Sequence, residues 1–138
     1  MTLITKQNLE SFFEYYHGFH DSYITDIHYD IKCSKIEIFI DVYWSGVPIQ
    51  KADGTYETGK TKIKMIFNGV EQCNNKEIFS WDYISEVFIK YIKIKNKEYI
   101  CFASSEEEPL IYIVCDSIEY EELNDNSKRR NNKKGSDV

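Results

Sequence analysis

The run KIEIFIDVYW, residues 35–44, alternates more cleanly than any other stretch of the chain. Ile36, Ile38, Ile40, Val42 and Trp44 fall on one side, and Lys35, Glu37, Phe39, Asp41 and Tyr43 on the other. Successive side chains of a strand point to opposite faces, so a period of two marks an extended strand with one apolar face. Such a strand needs partners beside it. Residues 22–31 show the same period, with Tyr23, Thr25, Ile27, Tyr29 and Ile31 on one side and Asp26, His28 and Asp30 on the other. Cys33 and Ser34 lie between the two runs at hairpin distance, which predicts an antiparallel pair.

The rest of the chain extends this pattern. Leu9, Phe12, Phe13 and Tyr16 recur at helical spacing, with Gln7, Asn8, Glu10 and Glu14 on other faces. Thr5 is placed to cap that helix and Gly18 to end it in a left-handed conformation. Residues 45–60, SGVPIQKADGTYETGK, hold a proline and three of the six glycines, and read as a long connection with a tip at Asp53-Gly54. Residues 61–70 form the next strand, with Ile63, Met65 and Phe67 inward, Lys62 and Lys64 outward, and a bulge or turn at Asn68-Gly69. Residues 78–94 fit a helix stripe through Ile84, Val87, Phe88 and Tyr91, but their β-branched content favours a strand. A turn at Asn96-Lys97, then strands over 97–103, 110–115 and 117–123, complete the reading. The expected fold class is α+β, an N-terminal helix packed on a mainly antiparallel sheet of about six to seven strands. One domain spans 1–123, and the polar, basic stretch 124–138 is expected to be disordered.

At 138 residues, 42% of them hydrophobic and 15% aromatic, the chain is long and apolar enough to bury a core. No apolar run approaches the roughly 18 residues of a membrane span. The opening MTLITKQNLE lacks the basic-then-apolar pattern of a signal peptide, so a cytoplasmic protein without membrane association is expected. Cys33, Cys73, Cys101 and Cys115 are scattered and form no C-x-x-C pair, and are read as buried, reduced thiols. The net charge is −6, but SKRRNNKKGSDV at the end holds five basic side chains and one acidic. Without it, 12 basic and 22 acidic side chains remain, a net near −10. An acidic body repels nucleic acid and attracts basic partners.

All three histidines lie in HGFHDSYITDIHYD, residues 17–30, among Asp21, Asp26 and Asp30. A strand advances about 3.3 Å per residue, which puts His20 and His28 roughly 25 Å apart. One metal ion, with ligand bonds of about 2 Å, cannot bridge that distance, and no metal or other cofactor is expected. His20 and Asp21 suit either a carboxylate-oriented general base or the joint between helix and strand. No serine, cysteine or glycine-rich element nearby completes a catalytic set, so the joint is preferred and no catalytic residue is assigned. Asp26, His28 and Asp30, with Tyr43 on the neighbouring strand, form a polar face open to a partner. Two acidic groups add to it: Glu106, Glu107 and Glu108 in a turn, and Asp116, Glu119, Glu121 and Glu122 around the last strand.

FHDSYITDI, followed by IEIFIDV and IKMIFNGVE, resembles a group of small bacterial domains. In these a short helix leads to an F-H-D-S/A-x-I motif, alternating strands and an aromatic-Gly-Val element. Phe19, His20, Asp21 and Ile24 match the motif, and Phe67, Gly69 and Val70 the later element; the resemblance covers about residues 9–120. Several such domains are similar to immunity proteins encoded beside polymorphic or contact-dependent toxins. That resemblance implies a structural role for the motif and a function without chemistry, binding and occluding a basic cognate toxin. The alternatives are a small ligand-binding or self-assembling module, or a hydrolase-type enzyme using His20 and Asp21.

Overall fold

The computed structural model describes residues 1–75, 82–84, 87–104 and 111–123. These hold one short α-helix, α1 (Leu9–Tyr16), followed by a 3-10 turn over 17–19. The strands are β1 (Thr2–Leu3), β2 (Ser22–Asp30), β3 (Lys35–Gln50), β4 (Tyr56–Asn68), β5 (Gln72–Asn75), β6 (Asp82–Ile84), β7 (Phe88–Ile94), β8 (Lys97–Ala103), β9 (Ile111–Cys115) and β10 (Ser117–Glu122). The α+β class is present, and so are strands over the described parts of 78–94. Residues 124–138 and the turn holding Glu106, Glu107 and Glu108 lie outside the described residues.

A single sheet of six to seven strands is not what forms. The strands make two antiparallel sheets, one ordered β1-β10-β4-β3-β2-β6 and the other β5-β9-β8-β7. Coverage explains the difference. An eight-residue helix is about 12 Å long, too short to shield the apolar face of six strands. The second sheet covers what α1 cannot. Ile36, Ile38, Ile40 and Val42 of β3 and Ile63, Met65 and Phe67 of β4 point inward, opposite Ile100 and Phe102 of β8 and Ile111 and Ile113 of β9. The Phe67 and Phe102 rings meet at 5.1 Å between the sheets. Phe12, Tyr16 and Phe19 fill the helix side, with Phe12 4.7 Å from the ring of Tyr120 on β10. One contiguous cluster joins helix and both sheets.

Local chemistry sets the ends of the elements. The N-cap of α1 is Asn8 rather than Thr5, and the two close the turn leading into the helix: Thr5 N–H donates to Asn8 Oδ1 (2.8 Å) and Asn8 N–H to Thr5 Oγ1 (3.2 Å). The helix ends at Tyr16 rather than at Gly18, because His17 itself turns left-handed (φ 52°), followed by Gly18 (62°) and Phe19 (60°). Two anchors hold this strained run: the buried Phe19 ring and the 2.8 Å hydrogen bond between His17 Nε2 and Gly46 O.

Several sequence expectations are corrected here. A bulge at Thr25 changes the parity of β2, so Tyr23 faces outward with Asp41 while Ile24 faces the core with Ile40. Ile31 sits exposed in the hairpin turn rather than in the strand. The β7–β8 turn uses Lys95 and Asn96, both at positive φ, rather than Asn96-Lys97. Residues 45–60 are not a loose connection: β3 and β4 continue through them to a tip over 51–55. Two irregularities in register, between Val42 and Ser45 and between Ser45 and Ile49, absorb the breakers. All four cysteines are free, but only Cys101 and Cys115 are buried; Cys33 and Cys73 are exposed.

Candidate interaction surface

Alternate residues of β2, β3, β4 and β10 point away from α1 and the second sheet. Register sets them in transverse rows. Asp26 lies opposite Phe39, Phe39 opposite Lys64, and Lys64 opposite Glu121. The next row is His28, Glu37, Ile66 and Glu119, and the one after it begins Asp30, Lys35 and Asn68. The antiparallel pairing of four strands, each with an apolar face turned inward, is what assembles this surface.

Ion pairs and rings cross it. Lys62 Nζ lies 2.6 Å from Asp41 Oδ1. Glu37 is approached by Lys64 at 3.6 Å, Lys35 at 3.7 Å and His28 Nδ1 at 3.8 Å, while His28 Nε2 meets Asp26 at 2.9 Å. The His28 imidazole lies 5.3 Å from the Phe39 ring, and Lys64 is 5.9 Å from the same ring. At the far end Tyr43 lies 5.8 Å from Tyr23, with Lys60 at 5.5 Å. Six carboxylates (Asp26, Asp30, Glu37, Asp41, Glu119 and Glu121) share the face with four lysines (Lys35, Lys60, Lys62 and Lys64), which leaves it negative. Exposed ion pairs of this kind contribute about 0–1 kcal/mol each to stability, so they shape the potential of the face more than they hold the fold.

The structure thus brings together Asp26, His28, Asp30, Tyr43, Glu119 and Glu121 of the residues expected to meet a partner. Glu122 leaves the group. Its register with Ile63 turns it to the core side, where its carboxylate accepts the Tyr16 hydroxyl at 2.6 Å. Burial, and then that bond, hold the Tyr16 phenol far above its ordinary range. Asp116 is also apart, between β9 and β10, with its carboxylate 3.1 Å from Lys97 Nζ and its N–H donating to the carbonyls of Asn68 and Gly69. Glu37, Asp41, Lys62 and Lys64 join this face beyond the residues expected to meet a partner, and the alternation of 35–44 and 61–70 is the signal that places them on the non-core side.

The FHDS segment is divided by depth. Phe19, Ser22 and Ile24 are buried, while His20 and Asp21 are exposed, with side chains 59% and 40% accessible and their nearest charged atoms 3.6 Å apart. His17 bonds Gly46 O and His28 pairs with Asp26, so the three histidines serve three separate neighbourhoods. Among the described residues no three His, Cys, Asp or Glu side chains converge on a point that could hold a metal ion. No helix among them is long and apolar enough to cross a membrane. No protein-family model, no curated protein and no solved structure matches the chain.

Proposed function

We propose that this protein is an immunity-type binding protein, which neutralises a cognate bacterial toxin in the cytoplasm by occluding it and performs no chemistry of its own. The observation that carries this reading is the outward face of β2, β3, β4 and β10: broad, negative, and set with Phe39, Tyr43 and Tyr23 among its charges. Toxins that act on nucleic acids carry basic clefts, and a negative protein face competes with phosphate for them. Complementary charge raises association from about 10⁵–10⁶ toward 10⁸–10⁹ M⁻¹s⁻¹. Aromatic side chains supply anchors once the surfaces meet. His20 and Asp21 lie toward the surface, with side chains 59% and 40% accessible, and this reading gives them no chemical role.

Co-expression with the toxin-like product of the adjacent upstream gene tests the proposal. Protection of the cells and a stable complex are expected. Reversing Asp26, Asp30 and Glu121 to lysine is expected to slow association about 10- to 100-fold at low salt. Cells left unprotected by the wild-type chain, or a complex indifferent to those reversals, would overturn it.

A further inference from the structure

β3 and β4 run past the strands that flank them. β2 pairs with β3 only up to Asp41, and β10 with β4 only up to Ile63. Beyond these points, among the described residues, the two continue as a ribbon to Gln50 and Tyr56. Their register shows which strand absorbs the irregularities. Val42 lies opposite Thr61 and Ile49 opposite Glu57, so β3 advances seven residues (42 to 49) while β4 advances four (61 to 57). The extra residues all belong to β3, and β4 keeps its alternation throughout. Tyr56, Lys60, Lys62 and Lys64 therefore point the same way, out from the core. Lys60, lying 5.5 Å from the outward Tyr43 ring, marks that side. Tyr56 is 61% exposed. It stands six residues from Lys62, about 20 Å beyond the last row that β2 shares.

The ribbon holds this ring from both ends. Its turn is closed by Lys51 N–H to Thr55 O (2.7 Å) and Gly54 N–H to Lys51 O (3.0 Å). The Asp53 carboxylate accepts both Thr55 N–H and Oγ1–H, so Tyr56 follows a fixed backbone. At the root His17 Nε2 bonds Gly46 O at 2.8 Å. The charges of the ribbon, Lys51, Asp53, Glu57 and Lys60, cancel. It adds nothing to long-range attraction, and what its tip presents on the outward side is a ring beside Gln50. Ile49, 65% exposed, is one residue from Gln50 and therefore projects from the reverse side.

We infer that Tyr56 anchors the partner that occupies the outward face, and that the occluded surface continues along β4 onto the ribbon. This rests on the occlusion reading of that face and adds a division of roles to it. Continuity gives the occupant, because β3 and β4 are the middle strands of the face and form the ribbon as well. Phe39, Tyr43 and Tyr56 mark the length of one surface. The carboxylates of β2 and β10 act at a distance and set the rate of encounter. Tyr56 acts only on contact, and a tyrosine ring has few torsions to lose when it is covered. Held on a closed turn, it is in place before the partner arrives. Its removal is therefore read in dissociation rather than association. The partner this implies is a basic protein whose charged patch is flanked, about 20 Å away, by an apolar pocket for a tyrosine ring.

Surface plasmon resonance of the full chain against the toxin-like product of the adjacent upstream gene tests this. Tyr56→Ala is expected to raise the dissociation rate about 10- to 100-fold and to leave association within about two-fold. Tyr56→Phe, which keeps the ring, is expected to stay close to wild type. Ile49→Ala, equally exposed but on the reverse side, is expected to change neither rate by more than about two-fold. The reversal of Asp26, Asp30 and Glu121 is expected to do the opposite of Tyr56→Ala, slowing association with little effect on dissociation. Far-UV circular dichroism checks that each variant remains folded. If Tyr56→Ala and Ile49→Ala behave alike, or if Tyr56→Ala acts on association alone, the anchor is overturned and the occlusion reading stands. If the wild-type chain forms no complex, both fall.

Discussion

The Cys115 thiol is fully buried and points toward Ile100 O at 3.7 Å and Ser117 O at 3.4 Å. Burial first, and then the Asp116 carboxylate and Cys101, push its pKa from 9.0 up to about 12. The folded chain therefore keeps a proton that the unfolded chain releases. Stability from this group is complete below pH 9 and falls as the pH rises from 9 towards 12. For a shift of that size the loss at pH 10 is about 1.4 kcal/mol. Urea unfolding at pH 8 and pH 10 measures it. Cys115→Ala is expected to be less stable at pH 8, through the cavity it leaves, yet to lose about 1.4 kcal/mol less on going to pH 10. The Tyr16 phenol, also raised, contributes equally to both proteins and cancels in the difference. Parallel losses in the two would refute the assignment.

At the level of elements, the junctions between strands carry more specific chemistry than the strands do. Gly69, where the chain leaves β4 for the second sheet, has φ 65°, and a Cβ there would lie 2.6 Å from Asp116 Cγ and 2.9 Å from Asp116 Cβ. The conflict reaches past the flexible end of the carboxylate, so rotating it gives no relief. Gly69→Ala is expected to cost roughly 2–4 kcal/mol, part left-handed strain and part displacement of the β9–β10 junction. A melting point within a degree or two of the wild-type value would show the junction to be slack. The strands themselves were legible. Ile36 to Val42 and Ile63 to Phe67 announce an inner face by alternation alone, and Asp26, His28 and Asp30 their outer one. The continuation of β3 and β4 through 45–60 was not, because Pro48 and three glycines read as breakers, whereas irregular register and the left-handed Gly46 let the strands continue through them. Alternation alone puts Tyr23 on the wrong face, because a one-residue bulge leaves no mark on composition. Adjacency in sequence groups Glu122 with Glu119 and Glu121, although its parity within β10 sends it to Tyr16.

Across the whole molecule, pairing partners are the property that alternation cannot encode, and two sheets rather than one follow from it. β4 and β8 are 29 residues apart from the end of one to the start of the next, yet Phe67 and Phe102 are the fully buried rings that join their sheets. One cluster holds α1, the first sheet and the second, so loss of packing at its centre reaches every layer. Phe67→Ala removes a ring from the middle and leaves a cavity that rigid strands close only in part, a cost of about 3–5 kcal/mol. Domains of this size are stable by only about 5–15 kcal/mol, so the substitution takes a large share of the total. With one core, β-sheet dichroism in the far ultraviolet and tyrosine and tryptophan signals in the near ultraviolet are expected to lose structure together, at one lowered denaturant midpoint. If the aromatic signals melt first while sheet content persists, the two sheets are separately stable and Phe67 is a contact between them rather than their common centre.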